Sequence, residues 1–381
     1  MKADKKLKIA MVIDAYDDVR NGCVISTMRF SNLLRQKGHE VIVISTGKPG
    51  KHKVVVPEFY PPFFKGIIQR YQMTLGKPHK EIITQALLDV DVVHLHMPFW
   101  LESKTATIAN KLGIPVVSTF HVQAEHLLHA FNIRSRMAVK LLYKLFLKQI
   151  YNKSELVICP SKFAEEEMRR YGLKKPTVVI SNGLQPDYCP GDYKRTAELK
   201  NKFVLLTVGR LAREKSQETL IEAVAASKHR DDIQLILVGK GPRKKYLRKL
   251  GRKLPNPPLF KFLKPEEVIY YYNISDLYIH AAEVEVECMT ALEAMGCGLP
   301  VLIASSSKSA TSQFALDDRF LYPHRDIQAL TRKIDYWFEH ADELQDVQKD
   351  YLEKAQEYSI TNSAATLESF YYRVCKEHDP R

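Results

Sequence analysis

Short apolar segments rich in β-branched residues recur along the first half of the chain, each separated from the next by a stretch of helix length. The first two, residues 8–14 and 40–45, predict buried strands. Between them, Ile25 to Lys37 has helical spacing and is followed by Gly38, a common helix stop. This β-α-β-α order predicts a parallel sheet covered by helices on both faces. Further strands of the same kind are predicted at 91–96, 115–121, 155–161 and 177–181.

A turn-rich, polar stretch over residues 182–201 interrupts the pattern and predicts a link between two domains. The alternation restarts after it, and the chain from Asp326 onward has a mostly helical pattern. We therefore predict an α/β fold of two Rossmann-like, doubly wound domains facing across a cleft, with ligands bound at the carboxyl ends of the strands. The predicted divisions are 1–188, 189–360 and a C-terminal helix, 361–381, that packs back on the first domain. Strands of the second domain are predicted at 203–209, 233–239, 259–263, 276–282 and 300–305.

The composition is typical of a globular chain and excludes several classes of protein. Of the 381 residues, 45% are hydrophobic and 27% charged, unlike disordered or fibrous chains. No uncharged apolar run approaches the ~18–20 residues of a membrane span, and the run from Ile9 to Ile13 is better explained as a buried strand than as a signal peptide. The six cysteines form no C-x-x-C pair, so we expect a reduced, cytoplasmic protein without a disulfide scaffold or zinc ribbon.

Positive charge is concentrated in the first half of the chain. Residues 1–190 contain 28 Lys and Arg against 16 Asp and Glu, whereas residues 191–381 contain 29 against 28. Nearly all of the net charge of +13 therefore lies in the first half. Such a domain favours an anionic partner, whether nucleic acid, a membrane surface or an acidic substrate. For any single cluster, a basic surface that serves only solubility is the alternative.

Two glycine-bearing turns in the second half have the chemistry of a phosphate site. Gly209 is followed by Arg210 and Lys215, and Gly239 is followed closely by Gly241. Glycine lets the backbone approach a phosphate, and Arg with Lys can neutralise a diphosphate without a metal. Each turn alone is more simply a strand end, and neither matches a dinucleotide or P-loop motif. Together, at the same end of adjacent predicted strands, they favour a phosphate ligand.

Two glutamates eight positions apart form the strongest signal. Glu285 precedes a predicted helix that carries Glu293, and the two lie about two turns apart. Glu285 could accept hydrogen bonds from sugar hydroxyls and Glu293 from a ribose. The amides of Glu287, Cys288 and Met289 would point at a phosphate or sugar from the helix N-terminus. The alternative, a helix with solvated acids, is disfavoured because the neighbours of Glu293 are apolar.

Several motifs together resemble the retaining glycosyltransferases of family 4, which have the GT-B fold. They are VGRLAREKS (208–216), VGKGP (238–242), SDLYIHAA (275–282) and LEAMGCGLPVL (292–302), and the first half agrees through Asn21-Gly22, RQKGHEVIVIS (35–45), DVVHLHMP (91–98) and STFH (118–121). The E-x-E variant at 285–287, together with SATSQFALD (309–317), is most similar to the glycolipid-forming branch, the diacylglycerol α-glucosyltransferases.

The resemblance implies roles for individual residues. Arg210 and Lys215 would clamp the donor diphosphate, and Glu293 would bind the ribose. Glu285 would face the transferred sugar and His121 would contact it at the catalytic centre. The resemblance also implies that Gly22 lets the backbone approach the donor phosphate, and that no metal or cofactor is needed beyond the UDP-sugar substrate. A metal site built from the histidines at 121, 126 and 129 is disfavoured, because apart from Glu125 no neighbouring acid or Cys completes the ligands.

Two segments of the first half favour a membrane. The predicted helix 133–152 carries a basic stripe, and residues 58–72 mix aromatic and basic side chains around Pro61-Pro62, as an interfacial anchor does. For the helix, a packed element with a solvated basic face is an equally good interpretation. The acceptor and membrane residues that these segments predict are Phe59, Tyr60, Phe63, Phe64, Lys65, Arg136, Lys140, Lys144 and Lys148.

We therefore hypothesise a retaining, metal-independent hexosyltransferase that transfers a hexose, most simply glucose, from a UDP-sugar to a lipid hydroxyl such as that of diacylglycerol. It would lie peripherally on the inner face of the cell membrane. One alternative keeps the chemistry and changes the acceptor to a soluble sugar or polysaccharide. The other, a basic nucleic-acid-binding protein without catalysis, is disfavoured because no helix-turn-helix, RNP or zinc-finger pattern is present.

Overall fold

The computed structural model describes residues 5–18, 21–61, 74–131, 133 and 135–378. The chain divides into two compact units, of which the first combines Met1–Gly183 with Ile360–Arg381 and the second is Leu184–Ser359. The sequence analysis places the divisions after residues 188 and 360. In the structure the units divide after Gly183 and after Ser359. Leu184 and Ser359, the first and last residues of the second unit, pair with each other in an isolated parallel bridge.

The first unit is built on a seven-stranded sheet whose described pairings are all parallel. The strand order is β3-β2-β1-β6-β7-β8-β9, so the order reverses between β1 and β6, where doubly wound folds bind ligands. A separate antiparallel pair is formed by β4 and β5. The strands are β1 (Lys8–Val12), β2 (Glu40–Ser45), β3 (Lys53–Val55), β4 (Glu58–Phe59), β5 (Leu75–Gly76), β6 (Val92–Leu95), β7 (Val116–Thr119), β8 (Leu156–Cys159) and β9 (Thr177–Val179).

Helices connect these strands. The first begins at Gly22, earlier than the predicted Ile25, because the Asn21 side chain accepts a hydrogen bond from the Cys23 amide and caps the helix. It ends before Gly38, whose φ of +93° is a left-handed conformation that glycine adopts readily. The helices are α1 (Gly22–Gln36), α2 (Lys80–Leu87), α3 (Trp100–Lys111), α4 (Ala124–Ala130), α5 (Arg136–Gln149) and α6 (Lys162–Arg170), with a 3₁₀ turn at Tyr151–Lys153.

The second unit has a six-stranded parallel sheet in the order β12-β11-β10-β13-β14-β15. The strands are β10 (Phe203–Val208), β11 (Ile233–Val238), β12 (Leu259–Lys261), β13 (Leu277–His280), β14 (Val301–Ser305) and β15 (Leu321–Pro323). The helices are α7 (Gln217–Ala226), α8 (Lys244–Gly251), α9 (Pro265–Ile274), α10 (Met289–Gly296), α11 (Ile327–Glu339), α12 (Ala341–Asp346) and α13 (Gln348–Gln356), with 3₁₀ turns at Arg213–Lys215, Thr311–Phe314 and Asp318–Phe320.

The last helix, α14 (Ile360–His378), returns to the first unit. Its buried apolar residues, among them Leu367 and Tyr371, join the hydrophobic core that surrounds β1 and α1. Glu368 adds polar contacts there, accepting from Lys37 and lying 2.8 Å from His39 Nε2. The α/β class with two parallel-sheet units confirms the predicted fold class. Among the described helices, none combines the length and apolar composition that crossing a bilayer requires.

Candidate active site

The two glycine turns of the second unit pack backbone against backbone. They follow β10 and β11, and the Leu211 amide donates to the Lys240 carbonyl across 2.9 Å. A Cβ at Gly239 would lie 2.0 Å from the Gly209 carbonyl oxygen, and one at Gly241 would lie 2.2 Å from the Leu211 carbonyl oxygen. No side chain fits at either position. Because the turns follow two adjacent parallel strands, both lie at the carboxyl edge of the sheet, as the sequence predicts.

Lys215 and Glu285 form a charged pair in the second unit. Lys215 ends the 3₁₀ turn after β10, and its ammonium contacts a carboxylate oxygen of Glu285 from the loop after β13. The two side chains are only 23% and 10% exposed. Burial would lower the pKa of Lys215, but the adjacent Glu285 outweighs it and the pKa is raised. Lys215 is therefore protonated at neutral pH. The contact joins two residues whose predicted roles lie at different parts of a donor.

His280 is a site residue that the sequence analysis left inside a predicted strand. It ends β13 and is buried, with Nε2 3.3 Å from the Glu285 oxygen that Lys215 contacts. Its Nδ1 lies 3.3 Å from the Cys288 sulfur. A polar residue at the last position of an otherwise apolar strand was the available signal, because such positions lie at the ligand-binding edge of a parallel sheet.

A metal ion is one possible occupant of this cluster. Among the described residues, His280, Glu285 and Cys288 form the group whose ligand atoms could meet on an ion, all lying within 4.8 Å of one another. The Lys215 ammonium already contacts the same Glu285 oxygen, and its positive charge repels a cation placed there. The cluster thus fits an ion-pair network better than a metal centre, and the metal-free site stays a prediction.

Glu293 and the preceding loop lie where the helix begins. α10 starts at Met289, after Cys288, and Glu293 is a buried residue of this helix that accepts a 3.3 Å hydrogen bond from the Tyr272 hydroxyl. Glu287 is also buried. Burial of the acid agrees with the expectation that it is not a solvated surface residue. Arg210 is exposed just after β10, and its backbone carbonyl accepts a hydrogen bond from the Gln217 side-chain amide.

Histidines cluster at the carboxyl edge of the first unit's sheet. His121 follows β7 and its Nε2 lies 3.4 Å from Nδ1 of His96, which follows β6. His94 is held from both sides, by the Tyr371 hydroxyl and by Thr119, each at 2.6 Å. Burial lowers the pKa of His121 to about 4, so its ring is neutral at physiological pH. These rings line a small cavity within the unit, together with Ser26 and Asn182 among others.

The residues assigned to an acceptor or membrane fall into two groups. On α5 the four basic residues Arg136, Lys140, Lys144 and Lys148 are all exposed. Apolar side chains are exposed on the same helix, with Met137 75%, Leu141 67% and Leu145 48% exposed. The other side of α5 is buried through Tyr143, Phe146 and Leu147. The helix is therefore packed on one face and presents a mixed basic and apolar face outward. Its contact with a membrane stays a prediction.

The aromatic segment is described only at its start. Phe59 lies in β4, half-buried, with its ring 5.3 Å from that of the exposed Trp100. The Tyr60 hydroxyl donates to Glu58 across 2.9 Å. Phe63, Phe64 and Lys65 lie outside the described residues. Gly22, the first residue of α1, is exposed.

Two family models match the chain. The model described as Glycosyltransferase Family 4 matches residues 20–188, and the model described as Glycosyl transferases group 1 matches residues 192–356. Together the two matches span most of both units.

Characterised relatives agree with these models. The chain is similar to the alpha-monoglucosyldiacylglycerol synthase of Acholeplasma laidlawii, with 29% identity over 332 residues that cover 78% of this chain and 80% of that protein. It is also similar to the GDP-mannose-dependent alpha-mannosyltransferase of Corynebacterium glutamicum, with 26% identity over 321 residues, 79% of this chain and 73% of that protein.

A solved structure shows the same fold. Anabaena HepE in complex with UDP matches with a TM-score of 0.74 at 17% identity, and the match covers 96% of this chain and 100% of that one. The family models, the relatives and the two parallel-sheet units lead to one conclusion. The chain belongs to the family 4 glycosyltransferases and has their GT-B fold of two Rossmann-like units.

Proposed function

We propose that the protein is a retaining, metal-independent glucosyltransferase that uses a UDP-sugar and a membrane lipid hydroxyl, such as that of diacylglycerol, to form an α-glycosyl glycolipid. The main support for a lipid acceptor is the outward face of α5, where basic and large apolar side chains are exposed side by side. Relatives named alpha-monoglucosyldiacylglycerol synthase support the same choice.

The donor site of this proposal lies in the second unit. Arg210 and Lys215 bind the diphosphate of the UDP-sugar, and the backbone at Gly209, where a Cβ would meet no atom within 4 Å, is open to it. Glu293 accepts from the ribose hydroxyls, and the amides of the loop before α10 contribute N–H donors. The complex of Anabaena HepE with UDP supports a uridine nucleotide in this fold.

The proposed reaction exchanges one bond at the anomeric carbon. The bond to the diphosphate oxygen breaks, and Arg210 and Lys215 stabilise the negative charge that develops on the leaving group. The acceptor oxygen forms its bond on the same face of the sugar, and its proton passes to the departing diphosphate oxygen. His121 is half-buried, and desolvation keeps its ring neutral, so it offers a hydrogen bond to the sugar without adding charge. Glu285 accepts from the sugar hydroxyls.

The acceptor side of the proposal uses α5 as a membrane contact. Each of its four exposed basic residues gains ~1 kcal/mol near an anionic leaflet. The exposed Met137, Leu141 and Leu145 then insert between headgroups, a contribution that salt does not screen. A lipid substrate reaches the enzyme without leaving the bilayer if this face rests on it.

The experiment is a panel of donors and acceptors. UDP-glucose, UDP-galactose and GDP-mannose are each incubated with diacylglycerol-containing vesicles or with soluble sugars, and products are identified by mass spectrometry and their anomeric configuration by NMR. An α-glucosyl diacylglycerol made from UDP-glucose supports the proposal. Transfer to soluble sugars alone would overturn the lipid acceptor. Transfer from GDP-mannose alone would overturn the UDP-sugar donor. GDP-mannose is included because the chain is similar to the Corynebacterium glutamicum mannosyltransferase.

A further inference from the structure

Glu285 is shared by two cationic groups that come from different loops. Lys215 contacts its Oε1 from the turn after β10, and His280 Nε2 lies 3.3 Å from the same oxygen at the end of β13. The carboxylate is buried, so its charge depends on close partners more than on water.

The proposed function places a second demand on Lys215. A donor diphosphate carries two negative charges, and Lys215 is one of the cations proposed to bind it. An ammonium that turns toward the diphosphate withdraws charge from Glu285. A buried carboxylate that loses a cationic partner takes up a proton more readily, because its pKa rises.

We propose that His280 is a positioning residue that acts as the counter-charge of Glu285, holding this carboxylate ionised and in place when Lys215 engages the donor diphosphate. The inference rests on the proposed function and adds to it a residue that contacts neither the diphosphate nor the acceptor. It explains why a histidine stands at the last position of β13, beneath the loop that carries Glu285.

The surroundings of His280 suit a charged ring. Its Nδ1 lies 3.3 Å from the Cys288 sulfur, and the Tyr278 ring stacks beside it with centroids 6.4 Å apart. Burial alone would lower the pKa of His280, but Cys288 and Glu285 outweigh it and raise the pKa to about 9. Lys215, the nearby cation, is neutralised by Glu285. The ring therefore keeps its proton through the physiological range.

The deciding variant is His280→Gln, whose side-chain amide is polar like the imidazole but carries no charge. Calorimetry of UDP-glucose binding without acceptor, in buffers of different ionisation enthalpy, measures the protons exchanged on binding. Wild type is expected to bind with little proton exchange at pH 7. H280Q is expected to take up a proton on binding, to bind about tenfold more weakly, and to weaken further as pH rises from 6.5 to 8.5, because Glu285 must be protonated in its complex.

Two further variants frame this result. His280→Asn, which retains a donor near Cys288, is expected to behave like H280Q. His324→Asn removes another histidine of the second unit, one that contacts Ser216 across 3.1 Å, and is expected to leave the proton exchange as in wild type. If H280Q binds UDP-glucose with wild-type affinity and wild-type proton exchange, the counter-charge role is overturned, since only the charge was removed.

A measurement on unaltered protein guards against a variant that does not fold. In ¹⁵N-histidine NMR of the UDP-glucose complex at pH 8, an imidazolium signal assigned to His280 supports the proposal, and a neutral His280 ring overturns it. The proposed function fails separately. If wild type binds GDP-mannose and not UDP-glucose, the donor assignment falls while the same proton measurement with GDP-mannose still tests His280. If wild type binds no nucleotide sugar, both fall.

Discussion

At the scale of single residues, Asp14 and Glu102 are two buried carboxyl groups in contact in the first unit. Asp14 follows β1 and accepts a 2.6 Å hydrogen bond from the Gly76 amide, and Glu102 lies in the first turn of α3. Burial raises the pKa of Asp14 to about 6, although the contact with Glu102 lowers it in part. Burial and the Asp14 charge both raise the pKa of Glu102 well above its usual value. Two carboxyl groups can bond only through a proton, so the folded protein keeps one that the unfolded chain releases.

This pair predicts a pH-dependent stability with a definite sign. The folded state binds the extra proton, so stability falls as pH rises from about 4 through 6 and beyond. Glu102→Gln supplies a neutral donor in place of the proton and is expected to raise the free energy of unfolding at pH 8, by about 2 kcal/mol, while removing most of this decline. Urea unfolding at pH 5 and pH 8 measures both effects. An exposed control, Glu166→Gln, should change neither, and a destabilised Glu102→Gln at pH 8 would contradict the shared proton.

Lys215 and Glu293 predict effects on nucleotide binding. Lys215→Ala removes a cation from the proposed diphosphate site, and Glu293→Ala removes the proposed ribose acceptor. Each is expected to weaken UDP binding by ~1.5–3 kcal/mol, the contribution of a charge-assisted hydrogen bond. Isothermal titration calorimetry measures the affinity, with the exposed Lys349→Ala as control. Unchanged affinity in both variants would remove these residues from the donor site.

At the scale of elements, α5 is held by one face and open on the other. Ser135 caps its start by accepting from the Ala138 amide, and Tyr143 and Phe146 anchor it in the unit. Lysines four apart repel one another by a few tenths of a kcal/mol in a free helix. That cost is offset if an anionic surface lies against them.

The membrane role of α5 separates into two measurable parts. Replacing Arg136, Lys140, Lys144 and Lys148 by Gln should abolish the salt-sensitive part of vesicle binding, at ~1 kcal/mol per residue. Replacing Met137, Leu141 and Leu145 by Ser should abolish the part that persists in high salt. Co-sedimentation with vesicles of increasing anionic lipid content, at low and high salt, measures both.

A matched control carries the same change of charge elsewhere. Lys245, Lys249, Arg252 and Lys253 are exposed on and after α8 in the second unit. If their replacement by Gln lowers vesicle binding as much as the α5 variant does, the attraction is that of the net charge and not of this helix. UDP affinity should stay unchanged in the α5 variants, since the proposed donor site lies in the other unit.

At the scale of the whole molecule, the charges near the proposed donor site predict catalysis without a divalent metal. In the proposed reaction, Arg210 and Lys215 supply the positive charge that a divalent metal would otherwise supply. The D-x-D sequence at Asp89 to Asp91 lies in the first unit, where Asp91 accepts from the Lys8 amide at 2.7 Å and from Lys5 at 3.0 Å. Turnover is therefore expected to survive EDTA. Loss of product in EDTA that Mn²⁺ or Mg²⁺ restores would overturn the metal-free reaction.

Local patterns in the sequence determined the elements and the class of fold. Apolar runs such as Phe203–Val208 can be recognised because almost every position of a central parallel strand is buried. The helix-length gaps between these runs imply parallel order. The short edge strands β3 and β15 were not predicted, since three residues are too few to show a period of hydrophobic positions. The sequence motifs were likewise sufficient to identify the glycosyltransferase family.

Tertiary structure alone decided which side chains meet. Lys215 and Glu285 are 70 positions apart, and they touch because β10 and β13 are neighbours in the sheet and their loops leave from the same edge. His280 joins them for the same reason, as Asp14 joins Glu102 where β1 and β6 adjoin. Periodicity describes a residue's neighbours along one element, whereas sheet order and burial set its partners and its charge. Only the folded chain therefore defines which side chains meet and which protons they hold.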